Sequence, residues 1–409
     1  MINFGMVGIG GYAGSYLNSL EKLEDQGFGR LAAIVIRNQR KYERIIELWH
    51  IKERGIKIYP SLDEMLDNEK NKMQIVALPV GIPDHRPMSI QCMEAGFDVV
   101  CEKPPAPTIQ DIDAMIRVSN QTRRFCLIGF QSQFASATRR IKAHILEGHI
   151  GEIKEIACKA AWRRLDKYYE RNPWAGKFKA GDKLILDGPL NNPHAHYVNN
   201  CLYFAGRNQN ETGRLAKIRA ELYKGHDIEG EDTACFHAQT VDGTNIYLYS
   251  TLCFPEKPDI DPYIEITGTK GSISGRINSL MHSHKNQKII ETFRYDDDGR
   301  VDIFKNACEL SLGKTEEQYC SAQSCRNYLL AINGAYESAQ KVIPIPDQYL
   351  TRMPEEDSTA TYIKGIGENL ITAFDSRKMF SELDLPWAKT QSRYFTLDNY
   401  KAFTVSSIN

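Results

Sequence analysis

The chain has 409 residues, with 51 Lys and Arg against 52 Asp and Glu, so a formal net charge of −1 gives it no general attraction to nucleic acid. With 42% hydrophobic and 25% charged residues it has the composition of an ordinary globular protein of two or three domains. No apolar run approaches the roughly 20 residues that span a bilayer, and Met1-Ile2-Asn3-Phe4-Gly5 has neither the basic nor the apolar region of a signal peptide, so the expectation is a cytoplasmic protein with no nucleic-acid or membrane partner.

The first third alternates short β-rich runs with helical spacing. Strands are expected at Ile2–Val7, Leu31–Ile36, Ile56–Tyr59, Met73–Leu78, Asp98–Cys101 and Phe125–Ile128. Helices are expected at Tyr12–Leu23, Arg40–His50, Leu62–Leu66, Arg86–Ala95 and Ile109–Ser119. Such alternation implies a parallel sheet covered on both faces. The pattern then changes: a helix at Ala135–Glu147, a strand at Ile153–Ala161, and a loop rich in Arg, Tyr and Trp. Arg219–Gly275 reads as an antiparallel or mixed sheet in a second domain. Ser279–Lys314 reads as charged and irregular, with a hairpin or insertion. Cys325–Gln340 and Thr359–Glu382 read as helical. The division expected is 1–128 and 129–409. Ten cysteines include no C-x-x-C pair; Cys320 and Cys325 come nearest. Cys101, Cys126 and Cys253 lie in apolar runs and read as buried free thiols.

Three motifs carry chemistry. Gly8-Ile9-Gly10-Gly11-Tyr12-Ala13-Gly14 follows a strand and opens a helix, the context of a dinucleotide-binding turn. Gly8 allows the turn and Gly10 the approach of a pyrophosphate, which the helix N-terminus attracts. The second strand ends Ile36-Arg37-Asn38 without the acid that holds a ribose diol. Arg37, aided by Arg40, therefore favours NADP over NAD. Cys101-Glu102-Lys103-Pro104 ends the fifth strand, where a lysine can stabilise a developing alkoxide. Asp187 to Asn199 contains Asn192 and His196 one helical turn apart, a base and a hydroxyl-binding amide. A metal site at His194-x-His196 is not expected, because residues two apart do not share a helix face and no third ligand has fitting spacing.

Together these segments resemble the Gfo/Idh/MocA family of glucose–fructose oxidoreductase and inositol dehydrogenase. The resemblance also rests on Ala77-Leu78-Pro79 followed by His85, on Glu94-Ala95-Gly96, on Gly148-x-Ile150-Gly151-Glu152-Ile153, and on Glu265-Ile266-x-Gly268-Thr269-x-Gly271. It implies an α/β fold: an N-terminal Rossmann dinucleotide-binding domain and a C-terminal α/β domain with a large open, mostly antiparallel sheet. It also implies NAD(P) as cofactor and a sugar or polyol as substrate. The candidate cofactor residues are Gly8, Gly10, Gly11, Tyr12, Arg37, Pro79, His85 and Glu102. Lys103 matches the family's substrate-orienting lysine and His196 its catalytic base, with Asn192 beside them. Two departures stand out. Asn192 replaces the family's Asp ahead of the base, and the usual Arg is absent from Gly129-Phe130-Gln131-Ser132.

The loop Trp162–Lys177 offers Arg164, Tyr169, Asn172 and Trp174 as a sugar pocket, aromatic faces for C–H surfaces and polar groups for hydroxyls. The expected activity is hydride transfer at a CH–OH carbon of a sugar, sugar acid or polyol. The alternatives are glycoside cleavage through a transient redox cycle of bound NAD, and a non-catalytic dinucleotide-binding regulator. Relatives of this kind form dimers or tetramers, which an exposed sheet face in the second domain would suit.

Overall fold

A computed structural model describes residues 1–255, 259–355 and 357–404. They form two compact units. The first comprises Met1–Ala106, Gln110–Thr138 and Asp297–Arg326; the second comprises Pro107–Ile109, Arg139–Asp296 and the chain from Asn327 onward.

In the first unit, six strands form one parallel sheet: β1 Ile2–Val7, β2 Gly29–Val35, β3 Lys57–Tyr59, β4 Ile75–Leu78, β5 Asp98–Cys101 and β6 Cys126–Ile128. Their order is β3-β2-β1-β4-β5-β6, the Rossmann order. Every residue of β4, β5 and β6 is buried, as strands covered on both faces must be. The helices are α1 Ala13–Asp25, α2 Glu43–Leu48, α3 Leu62–Asn68, α4 Ile82–Glu94, α5 Ile109–Thr122 and the short α6 Gln131–Phe134. Helix α4 begins a turn before the Arg86 expected, because Pro83 sits in its first turn, where a missing N–H costs nothing. Because β3 and β4 lie on opposite sides of β1 and β2, the strand order reverses between β1 and β4. The carboxyl ends of those strands open the crevice where such sheets bind ligands.

In the second unit, α7 Ser136–Leu146 enters from the first and leads to β7 Ile153–Ala161. After α8 Asp166–Glu170, a small hairpin pairs β8 Lys179–Ala180 with β9 Lys183–Leu184, and α9 Ala195–Ala205 follows. The long strands that follow in the main sheet are β10 Leu215–Lys224, β11 Thr233–Thr240, β12 Asn245–Thr251, β13 Ile260–Gly268, β14 Ser272–Arg276, β15 Leu280–Lys285 and β16 Lys288–Arg294. The sheet is antiparallel except where β7 pairs with β12 and β10 with a two-residue strand near Ile343.

The segment from Ser279 to Lys314 is more ordered than its charge suggests. Its first half is the β15–β16 hairpin, and its second half is α10 Arg300–Ser311. Helix α10 belongs to the first unit, although the sequence division places it in the second. The reason is apolar: Phe304 packs edge-on against Phe4 of β1 and Tyr16 of α1, at ring separations of 5.7 and 5.2 Å. Helix α11 Arg326–Ala339 matches expectation.

The stretch Thr359–Glu382 is not one helix. A hairpin pairs β18 Leu350–Glu355 with β19 Ser358–Ile363 (β17 being Ile343–Pro344), and only Ile366–Ser376 is helical, as α12. The β-branched run Thr359-x-Thr361-x-Ile363 favours strand, and Gly365, at φ 72°, starts the helix after it. This C-terminal region covers one face of the sheet. Tyr223, Tyr249 and Ala157 on the sheet bury against Ile363, Leu370, Phe374, Phe380 and Trp387.

Candidate functional site

In the first unit the glycine turn has the shape that a dinucleotide requires. Gly8 donates its N–H to Val35 O at 3.0 Å, which draws the turn against β2. Gly8 and Gly11 hold φ of 89° and 61°, and a Cβ at either would face open space. Only glycine adopts such angles readily. At Gly10 a Cβ would come within 2.9 Å of the Tyr42 ring. Tyr12 at the α1 N-cap places no side-chain acceptor on the first N–H groups of the helix. Those donors and the positive dipole end suit phosphate oxygens. Arg37 and Arg40 are exposed just beyond β2, and no acid stands there. These residues fit a dinucleotide.

At the end of β5, Glu102 is buried and accepts from the Tyr16 hydroxyl at 2.8 Å. Burial pushes its carboxyl up to about 7, against the pull of the neighbouring Lys103 charge. Lys103 is half-buried beside it, on the same sheet edge as the glycine turn. Pro79 is half-buried at the end of β4. His85 is buried, its ring nitrogens 2.7 Å from Pro104 O and 3.0 Å from Val80 O. It thus braces the turn after Lys103 against the loop after β4, and burial lowers its imidazole below the usual range.

Where an arginine after β6 is missing, Gln131 accepts from the Tyr12 hydroxyl at 3.4 Å, and Arg300 donates to that hydroxyl at 3.4 Å. A guanidinium therefore stands beside Gln131, delivered by α10 from far along the chain. It also lines a cavity of about 340 Å³ with Gly14, Ser15, Lys22 and Trp49.

In the second unit α9 begins at Ala195, so His196 lies in its first turn and Asn192 lies in the turn before it. Asn192 donates its Nδ2 to Asp187 Oδ1 at 2.7 Å. His194 is buried, its Nδ1 2.7 Å from Ser250 Oγ and its ring edge-on to Trp162 at 4.4 Å. Among the described residues, the His, Cys and carboxylate groupings close enough to share an ion contain neither His194 nor His196.

The aromatic loop is partly turned to its own construction. The Arg164 guanidinium lies over the rings of Trp162 and Tyr168 at 5.0 and 5.2 Å. The Tyr169 ring packs on His226 at 4.8 Å, and its hydroxyl is buried. Asn172 Oδ1 accepts from the Trp174 N–H at 3.0 Å, a local turn contact. Trp174 is half-buried, with the Arg171 guanidinium 5.5 Å from its ring.

Four residues here were not singled out from sequence: Tyr16, Arg300, Asp187 and Glu231. Asp187 heads the segment that drew attention to His196, but only tertiary contact shows what its carboxylate meets. Glu231 is buried, accepts from the Tyr336 hydroxyl at 2.5 Å, and is pushed up to about 8 by burial.

Residues 2–130 match the model of the GFO/IDH/MocA oxidoreductase family with an NAD-binding Rossmann fold, and residues 138–274 match the GFO/IDH/MocA C-terminal domain. The chain is 26% identical over 276 residues to 2,7-anhydro-N-acetylneuraminate hydratase of Mediterraneibacter gnavus, which covers 66% of this chain and 66% of that one. It is 26% identical over 188 residues to inositol 2-dehydrogenase of Azotobacter vinelandii, covering 43% of this chain and 52% of that one. The aligned stretches thus span about half to two thirds of those relatives. The WlbA dehydrogenase from Chromobacterium violaceum, solved with NADH and UDP-GlcNAcA, superposes with a TM-score of 0.68 at 22% identity, over 83% of this chain and 94% of that one. At that identity the likeness is one of fold.

Proposed function

The chain belongs to the GFO/IDH/MocA oxidoreductase family, and from that premise we propose that it is an NAD(P)-dependent dehydrogenase or reductase acting on a CH–OH carbon of a sugar, sugar acid or polyol. The observation that carries this reading is the shared sheet edge in the first unit, with an open glycine turn after β1 and Lys103 after β5. Gly8, Gly10, Gly11 and the first turn of α1 would hold the pyrophosphate, with Tyr12, Pro79 and Glu102 around the cofactor and His85 bracing the turn. The nicotinamide, when bound, supplies the hydride acceptor or donor.

The protein's own work is positioning and proton transfer. In oxidation, a ring nitrogen of His196 takes the hydroxyl proton while the carbon gives up its hydride. The Lys103 ammonium orients that hydroxyl and stabilises the oxygen as its negative charge grows. Asn192 holds a neighbouring hydroxyl. Arg164, Tyr169, Asn172 and Trp174 form the sugar-facing loop. Turnover across a panel of sugars, sugar acids and polyols tests this, with loss in His196→Ala while the cofactor still binds. Unchanged turnover in that variant would remove His196 from the role.

NADP is preferred to NAD, on the ground that Arg37 and Arg40 replace the acid that would hold a ribose diol. The ten cysteines, all buried and free, suit a reducing cytoplasm. Assembly as a dimer or tetramer would use the end of the sheet bearing the exposed Ile289 and Ile290. A second reading has one observation in its favour: the relative matched over 66% of the chain is called a hydratase, a reaction without net oxidation. Cofactor that co-purifies and ends turnover in its starting redox state would favour a transient redox cycle.

A further inference from the structure

We propose that His144, Glu147, His149 and Glu291 form a binding site for a divalent transition-metal ion of the zinc class, where α7 ends against the β15–β16 hairpin. The inference stands apart from the reading of the protein as a dehydrogenase.

The site is built by the way α7 stops. Arg140, His144 and Glu147 follow one another at helical spacing and share one face of the helix end. Gly148 then takes a φ of 81°, and its N–H bonds back to Ile145 O at 2.9 Å while that of His149 reaches His144 O at 3.4 Å. This left-handed turn folds His149 back over the helix, where its ring stacks on His144 with centroids 4.1 Å and planes 11° apart. One ligand atom from each of His144, Glu147 and His149 lies within 4.8 Å of the others. Glu291 comes from β16, its Oε2 2.7 Å from His144 Nδ1.

The His144 ring points to a cation. It is 1% exposed, with Nε2 2.9 Å from the buried Ser283 Oγ and the Phe293 ring edge-on at 5.3 Å. Nδ1 is buried and makes no hydrogen bond among the described residues. The Glu291 oxygen is near it but lies off the direction that an N–H there would take. An imidazole that donates Nε2–H to Ser283 turns a lone pair at Nδ1 toward that carboxylate. Two lone pairs at such a distance repel unless a positive charge sits beside both. A ring nitrogen fixed by its other N–H is also the usual setting of a metal-bound histidine.

Arg140 sets the carboxylates. Its guanidinium donates to both oxygens of Glu147 at 3.0 Å and to both of Glu291 at 2.9 and 3.1 Å. Glu147 Oε2 stands 3.1 Å from His149 Nε2, as Glu291 Oε2 stands beside His144. A carboxylate keeps lone pairs after such bonds. Two imidazoles and two carboxylates are a donor set that zinc accepts. Ligand atoms about 2.0–2.2 Å from a tetrahedral zinc stand about 3.3–3.6 Å apart, slightly wider than the 2.7 and 3.1 Å between neighbouring donors here. Glu147 and His149 are half-exposed, which gives an ion a way in. The cluster of His226, Asp232 and Cys253 is different, because its groups are committed to one another. Asp232 Oδ2 accepts from the N–H groups of Gly225 and His226 and meets His226 Nδ1, all at 2.8 to 2.9 Å.

The test uses the whole chain, free of any purification tag and stripped with EDTA. Zinc is titrated in competition with a chromophoric chelator, and cobalt(II) serves as a spectroscopic probe. The expected result is one zinc per chain, bound at least about tenfold more tightly than by His149→Ala or Glu147→Gln. Ser283→Ala, which releases the buried ring nitrogen, should weaken zinc about tenfold. Because the ion clips α7 to β16, zinc should raise the thermal midpoint of the wild type and leave that of His149→Ala unchanged. Cobalt should show visible bands without thiolate charge transfer. Failure of the wild type to hold zinc against the chelator would overturn the proposal. So would equal affinity in wild type and His149→Ala, or a thiolate band lost in Cys253→Ser, which would place the ion at His226. Should the α7 variants fail to fold, Glu291→Gln tests the same site from the sheet, and unchanged zinc affinity there is equally contrary.

Discussion

The glycine turn after β1 and the carboxylate network around Asp187 both depend on closely placed polar groups, but they are assembled differently. The turn is local. Seven consecutive residues, Gly8 to Gly14, set its backbone angles, and its long-range requirements are the Gly8 bond to Val35 O and room for Gly10 against Tyr42. The Asp187 network draws on Arg171, Gly176, Asn192, Glu231 and Tyr336, contributed by well-separated segments. A phosphate site built from backbone N–H groups can be written in a short motif. A buried carboxylate network is written in the tertiary structure, because the state of each acid depends on which groups burial brings together.

His196→Ala separates the two regions most sharply. Turnover should fall by about 10²–10⁴-fold, while the dinucleotide binds within about twofold of wild type. A parallel loss of cofactor affinity would mean that the two regions are not independent. Phe304→Ala probes the frame that the glycine turn stands on. Loss of a buried ring packed on Phe4 and Tyr16 should cost about 3–5 kcal/mol in denaturant unfolding. A cost below about 1 kcal/mol would remove α10 from the core of the first unit.

Glu231 gives the next largest effect, and its sign follows from linkage. Its folded value, about 8, lies above the ordinary 4.5, so the folded chain keeps a proton that the unfolded chain has lost between those pH values. The stability this provides is present in full below about pH 4.5 and is lost as pH rises through 8. Glu231→Gln should therefore flatten the fall in unfolding free energy across that window by more than about 1 kcal/mol, measured by denaturant titration at several pH values. Equal slopes in the two proteins would show Glu231 ionised in the folded state. The smallest effect is at Arg37. Arg37→Ala should weaken NADP several-fold, about 1 kcal/mol, and leave NAD nearly unchanged. Equal losses for both would end the NADP preference.

Much of the first unit is legible in the sequence because its strands are short apolar runs between turn signals; Ile2–Val7 and Asp98–Cys101 fall where the pattern places them. Helix α10 is not, although Ile303, Phe304, Ala307 and Cys308 have helical spacing. The acids around Asp297 and Asp302 give the segment the look of a solvated insertion, and nothing local says that its apolar face will meet Phe4. Each within its own unit, Lys103 and His196 stand where their motifs put them, one after β5 and one in the first turn of α9. Asn172 illustrates the limit: a polar residue in a promising loop spends its side-chain oxygen on the N–H two residues ahead. Asp187 illustrates the converse, since its carboxylate meets Arg171 and Gly176, which the sequence does not place beside it.

The central claim is that the glycine turn holds a nicotinamide dinucleotide. Titration of the wild-type chain with NAD, NADH, NADP and NADPH, read by nicotinamide and protein fluorescence after checking for carried-over cofactor, tests it directly. The expected result is saturable binding of at least one reduced form, strongly weakened when Gly8, at φ 89°, is replaced by valine. Absence of binding by all four forms, in a folded protein free of cofactor, would contradict the claim.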